Sequence, residues 1–307
     1  MPRKKSERIY VETRIHGALD ELWERTQEPA QHVRWDLRFT TIDYLPRPDE
    51  ALPQRFRYAT RLGFGLKIEG EGETAGERNG PDGQRTSALR FWSDDPKSLI
   101  REGSGYWQYV PTADGIRFIT AYDYQVRFGA VGALFDRLIF RPLIGWATAW
   151  SFDRLRLWIE RGIDPTLSLR QSAIAVLSRA ALGAVWGYHG AVPKIILRHP
   201  DEQAMLRDAG IALGAVVPLL TAIGAGEVAL GGVIALTAPA RWPLIVSAAM
   251  MVPATVGVAT KSPRFLGAAF NPITLNLLVA ALSAIGLLAG KPPSARHCLR
   301  RQPEQRR

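Results

Sequence analysis

Along the first 126 residues apolar side chains recur at every second position, in short runs broken by Pro, Gly, Asn and Asp. Beyond residue 131 the spacing lengthens to three and four, and between 172 and 290 apolar residues are so dense that no period is left. The alternating regime predicts strands. In 8–15, Ile9, Val11, Thr13 and Ile15 share one face and Tyr10, Glu12 and Arg14 the other. A helix follows over 18–27, with Leu19, Leu22 and Trp23 at helical spacing and Pro29 as its stop. Further strands are expected at 39–45, 54–62, 66–74, 86–92, 98–110 and 115–126, with turn-rich 46–53 and 77–83 as loops. Over 131–160 Ile144, Ala147, Ser151, Leu155 and Trp158 form one stripe, and Pro142 should divide this helix near Arg141.

The dense regime predicts membrane spans. Residues 242–260 and 265–290 carry no charge, and a helix over about 211–237 carries only Glu227. A further span over 172–197 holds Arg179, His189 and Lys194. Four spans packed as a bundle are expected, because backbone facing lipid must satisfy its own hydrogen bonds. Domains are therefore placed at 1–165 and 166–291, followed by a basic tail over 292–307 expected to be disordered.

Charge sharpens this division. Of the net charge of +10, residues 1–170 hold +2 and residues 171–307 hold +8, the tail alone contributing +5. A basic tail beside the last span suits anionic headgroups better than nucleic acid. The single cysteine, Cys298, excludes a disulfide framework and a thiolate metal site. The start of the chain has no apolar stretch of the kind that directs export, so both termini are expected in the cytoplasm, flanking four spans.

Strand, then His16-Gly-Ala-Leu-Asp-Glu-Leu-Trp23 and Trp35, six strands and a long helix resemble the START-like helix-grip superfamily of polyketide cyclases and lipid-transfer domains. This resemblance covers about residues 7–162 and implies an α+β fold, an antiparallel sheet around a long C-terminal helix, with a hydrophobic cavity between them. The second half resembles the DoxX-like family. That resemblance rests on Trp186-Gly-Tyr-His-Gly190 with Pro193-Lys194, His199-Pro-Asp-Glu202, Gly226-Glu227 and Phe270-Asn-Pro-Ile-Thr-Leu-Asn276. It implies an all-α four-helix transmembrane bundle and no defined reaction.

Two groups of residues are candidates for chemistry. Tyr106, Tyr122, Tyr124 and Trp150, with Arg101 or Asp123 to orient a head group, would line a cavity in the first domain; the same aromatics also suit a filled core. Trp107 and Tyr109 face opposite to Tyr106, so both sets cannot point inward. In the second domain Arg179, His189, Lys194, Glu227, Asn271 and Asn276 would form an intramembrane polar cluster, with Arg179 at a depth suited to pairing with Glu227; a purely structural ion pair is the competing reading. Gly183/Gly187 and Gly286/Gly290 permit close helix approach. Gly70-Glu-Gly72 and Gly224-Ala-Gly226 do not open a helix after a strand and are not dinucleotide motifs. The five histidines do not cluster, so no metal or cofactor is implied.

The expected function is a membrane-anchored binding protein that holds a lipid or other apolar small molecule beside the bilayer, rather than an enzyme. The alternative is the membrane subunit of a quinone-linked oxidoreductase whose redox centre resides in a partner protein. Cyclase-like chemistry lacks an acid/base pair of suitable spacing.

Overall fold

A computed structural model describes residues 8–49, 51–237 and 240–302. The chain divides into two compact units, Met1–Ser168 together with Pro293–Arg307, and Leu169–Pro292.

The first unit is built on a seven-stranded antiparallel sheet in the order β1-β7-β6-β5-β4-β3-β2. The strands are β1 (Ile9–Ile15), β2 (Thr41–Tyr44), β3 (Arg55–Gly63), β4 (Leu66–Asn79), β5 (Arg85–Trp92), β6 (Ile100–Thr112) and β7 (Gly115–Val126). Helices α1 (Leu19–Gln27) and α2 (Pro29–Trp35) fill the gap between β1 and β2. Pro29 opens α2 instead of merely ending α1, since proline's missing N–H costs nothing in a first helical turn. After β7 come α3 (Gly129–Phe135), a π turn (Asp136–Phe140) and α4 (Arg141–Arg161). The division expected at Arg141 is thus made by that π turn, with Pro142 in the first turn of α4.

The core lies between α4 and the inner face of β1, β7 and β6. Phe152 stacks on Phe118 with centroids 4.4 Å apart, and Trp35, Trp107, Tyr109 and Leu155 close around them. Buried Trp35 satisfies its indole by donating to the Arg25 carbonyl at 2.8 Å.

The tail corrects the expectation of disorder. Leu299 exchanges both backbone hydrogen bonds with Glu12, each 2.9 Å, so the tail pairs with the middle of the otherwise open edge of β1. Fully buried Asp153 on α4 accepts from the Ser294 N–H at 2.7 Å and pairs with His297 at 2.9 Å. Cys298 is buried, its thiol contacting the Ala149 carbonyl at 3.2 Å. The tail's predicted charges at Glu304, Arg306 and Arg307 lie outside the described residues.

The second unit is helical. It contains α5 (Pro165–His189), continued by a π segment (Gly190–Ile196), then α6 (Pro200–Asp208), α7 (Leu213–Leu236), α8 (Trp242–Lys261) and α9 (Pro272–Leu288). Among the described residues only α7 and α8, of 24 and 20 residues, are long and apolar enough to cross a membrane by length and composition. The run 265–290 does not form one helix. Asn271 accepts from the Thr274 N–H at 2.9 Å and Pro272 follows it, and this cap starts α9 late, leaving 17 residues.

Candidate functional site: a glycine-floored aromatic groove

Directly paired residues of an antiparallel sheet share a face. Along one such row on the inner face the register runs Tyr44, Phe56, Gly72, Phe91, Gly103, Tyr124. Apart from Tyr44, aromatic and glycine alternate strand by strand. The neighbouring pairs repeat the device, with Tyr58 opposite Gly70 and Tyr122 opposite Gly105. A side chain at Gly72 would run into the Phe56 ring and come within 2.8 Å of the Arg90 carbonyl; one at Gly103 would meet the Phe91 ring and the Asp123 carbonyl at 2.7 Å. The rings therefore lie down on the strands where no Cβ stands, and the floor is lowered by a side chain's height. Helix α4 packs on β1, and α2 packs on β2 and α4. Phe56, Tyr58 and Phe91 stay half-buried between those covered edges.

The inner face ends in paired charges. Asp36 is fully buried and accepts from Arg38 Nε at 2.9 Å and Nη2 at 2.6 Å and from the Arg38 N–H at 3.0 Å; it also meets His32 Nε2 at 3.0 Å. Burial alone would raise the Asp36 carboxyl, but the Arg38 charge and the hydrogen bonds of His32 and Arg38 outweigh it and hold the group well below the usual carboxylate range. Burial pulls His32 down against the opposing pull of Asp36, which favours a neutral imidazole. The Arg38 guanidinium stands 5.6 Å from the Tyr122 ring, and the Tyr122 and Thr148 hydroxyls are 2.9 Å apart. Next to them Tyr124 donates to Asp136 at 2.6 Å, and Arg141 pairs with Asp136 at 3.0 Å while lying 4.6 Å over the Tyr124 ring. Burial pushes the Tyr58 phenol up to about 12.

The structure brings Tyr122, Tyr124 and Trp150 to the inner face, all of them buried in the core. It removes two members of the predicted set. Tyr106 is on the outer face with Tyr10, Ile119 and Ala121, because strand alternation opposes it to Trp107 and Tyr109. Arg101 is exposed at the bulge between Ile100 and Glu102, and only its carbonyl is engaged, accepting from Ser93 at 3.0 Å. Asp123 belongs to the outer row Glu73, Arg90, Ser104, Asp123, which lines an open pocket of about 530 Å³. Of the predicted cavity set, only Tyr124 and the head-group candidate Asp123 border that pocket.

In the second unit the predicted polar cluster separates into parts. Arg179 donates to the carbonyls of Ile234, at 3.0 Å, and Ala240, and does not pair with Glu227: it serves backbone oxygens at the C-terminal end of α7. Glu227 lies 3.1 Å from Lys194, which also pairs with Glu202 at 3.1 Å. Gly190 and Gly224 meet there, and a Cβ at either would come within 2.9 Å of the Glu227 or Lys194 Cβ. His189 contributes its carbonyl to Lys194 at 3.5 Å. Asn271 is a helix cap, and Asn276 bonds Thr255 at 3.1 Å. Gly183 and Gly187 face Gly231, as close helix approach requires. Among the described residues no group of His, Cys, Asp or Glu is arranged to hold a metal ion.

Residues 183–284 match the DoxX-like family. An uncharacterized membrane protein of Bacillus subtilis, YndG, is 50% identical over 184 residues, which span 59% of this chain and 68% of that protein. Among solved structures, a STAR-related lipid transfer protein of Xanthomonas axonopodis is similar at 16% identity and a TM-score of 0.36, covering 49% of this chain and 84% of that one. A hypothetical protein of Helicobacter pylori is similar at 16% identity and a TM-score of 0.40, covering 52% and 92%. The chain belongs to the same family of membrane proteins as YndG, and its second unit carries the DoxX-like region.

Proposed function

We propose that this is a membrane-anchored binding protein whose sheet-and-helix unit holds a lipid or another apolar small molecule along the glycine-floored groove. The alternating row of aromatic rings and glycines carries this reading, since it presents flat apolar faces without filling the space above them. The ligand's polar end would meet Tyr122, Thr148 and Arg38. Because Asp36 neutralises Arg38 and Asp136 neutralises Arg141, that end suits an uncharged hydroxyl or carbonyl better than a carboxylate or phosphate. The test is native mass spectrometry of the full chain, with extraction of what co-purifies. An apolar molecule is expected on the natural chain and lost from Phe91→Ala, which removes a ring but leaves the floor. A chain that carries nothing and binds no apolar fluorescent probe would refute the reading.

In the same proposal the second unit crosses the bilayer four times with both termini cytoplasmic. Support comes from parity. Residues 293–299 fold with β1 and α4, so the two ends of the second unit must emerge on the same side, and the number of crossings between them is even. Three apolar helices, α7, α8 and α9, need a fourth, which falls to α5 with its π continuation.

A second reading, the membrane subunit of a quinone-linked oxidoreductase with a separate redox partner, is favoured by one observation. Lys194 holds two carboxylates, Glu202 and Glu227, the second of them on apolar α7. Its test is Glu227→Gln in membranes supplied with a quinone analogue: lost quinone reduction would support it, and unchanged reduction would remove it.

A further inference from the structure

Two separate stretches leave large apolar side chains in water. The turn between β3 and β4 exposes Leu62, Phe64 and Leu66, with Phe64 at 112% of its reference exposure. After β7, Phe128 opens a second stretch in which Val131, at 77%, and Leu138, at 64%, are the most exposed of several outward apolar residues, while Asp136 is held inside by Tyr124 and Arg141. The register brings both stretches to one end of the sheet. Gly63 pairs with Leu66 at the hairpin tip, Glu71 with Trp92, Trp92 with Glu102, and Ile100 with Val126, so the last residues of β3, β5 and β7 lie on one side.

Phe64 and Phe128 both adopt left-handed backbone, with φ of 48° and 67°. For a bulky residue such a conformation is strained, and the fold tolerates that strain at the tips of the two stretches. Exposed apolar side chains gathered at one end of a sheet mark a partner. The chain is a membrane protein, so a bilayer is a surface available to this unit. Exposed Arg61, Lys67 and Arg137 flank the apolar residues, as cations at headgroup level would; Glu69, which pairs with Lys67 at 2.5 Å, and Asp94 and Asp95 in the adjacent β5–β6 turn temper that attraction, leaving apolar insertion as the main driving term.

We propose that this end of the sheet is a bilayer-docking surface, with Phe64 and the α3–π residues inserted among acyl chains and Arg61, Lys67 and Arg137 at the headgroups. The proposal does not require the groove to hold a ligand.

The test uses the full chain reconstituted in phospholipid vesicles containing nitroxide-labelled lipid. A fluorophore is attached at Phe64→Cys or Leu138→Cys, with Leu52→Cys in the turn at the opposite end as control; Cys298 is buried and spared by the label. Emission from positions 64 and 138 is expected to be quenched several-fold more by the lipid nitroxide than by aqueous iodide, with the reverse at 52. Equal behaviour at all three positions would overturn the proposal. So would shielding of 64 and 138 from both quenchers, which would assign this end to a protein surface, a second copy of the chain included. Replacing Leu62 and Phe64 by Ser is expected to lower lipid quenching at 138; no change there would remove the hairpin from the surface and refute joint docking.

Discussion

Asp36, enclosed with Arg38 and His32 beneath the inner face, sets how this fold responds to acid. Its folded pKa is depressed, so the stability it contributes is fully present above the ordinary aspartate value, roughly pH 4, and drains away as the pH falls towards the lower folded value. His32 acts in the same direction at higher pH. A buried histidine with a depressed pKa binds fewer protons folded than unfolded, so its contribution is complete above about pH 6.5 and falls as the pH drops below that. Thermal unfolding of the full chain in detergent should therefore show stability declining in two stages on acidification, the first absent in His32→Gln. Asp36→Asn strands a guanidinium whose side chain is only 13% exposed, and should cost about 3–5 kcal/mol at pH 7. The deficit relative to the natural chain should shrink below pH 4. A pH-independent deficit would mean that the ion pair is not what the substitution removes.

At the scale of elements, the glycine rows and the tail strand make separable predictions. Gly103→Ala places a methyl against the Phe91 ring and the Asp123 carbonyl, and overpacking of this kind costs about 1–3 kcal/mol. Reduced stability should come with weaker binding of an apolar probe, because the Phe91 ring must stand up into the groove. Ending the chain at Pro292 removes two partners of buried Asp153 and uncovers the edge of β1. It should lower stability by about 2 kcal/mol or more and promote aggregation, read by light scattering on heating. The elements themselves were legible from period alone: alternation located the strands, and the stripe expected on α4 holds buried Ser151, Leu155 and Trp158, although the core residues Ala149 and Phe152 lie outside it. The groove was not read from the sequence, although its signal is present. Gly70 and Gly72, and Gly103 and Gly105, recur at period two inside strands, opposite aromatics at the same period in 56–58. Glycines at period two within a strand open no helix, but they leave one face of the strand without side chains. Asp36, Arg38 and His32 gave no such signal, because their meeting depends on how α2 turns into β2.

On the scale of the whole molecule, the second unit is an insertion within the first, and that arrangement constrains topology more tightly than hydropathy does. Counting apolar runs gives four candidates and helix length leaves two strong ones; the even number of crossings proposed above is open to direct measurement. Single-cysteine labelling checks this. Reagents applied to one side of sealed vesicles should reach Leu52→Cys and Arg301→Cys alike, both exposed, and an opposite result would unseat the paired folding of tail and sheet. The sequence placed Glu227 in the apolar unit and named Lys194 near it, but it matched Glu227 to Arg179 by depth. Depth along a helix says nothing of direction around it, and the π segment after His189 turns Lys194 towards Glu227.

The strand pairing between Glu12 and Leu299 also bears on how the protein is made. The ribosome delivers Leu299 only after every helix of the second unit has been synthesised, so the sheet keeps an open edge throughout translation and closes last. A nascent chain that stalls or is truncated within the helical half never acquires this last pairing, and it displays to quality-control proteases a bare β1 edge that the finished molecule pairs at Glu12. Completion of the membrane half is in this way registered in the stability of the sheet.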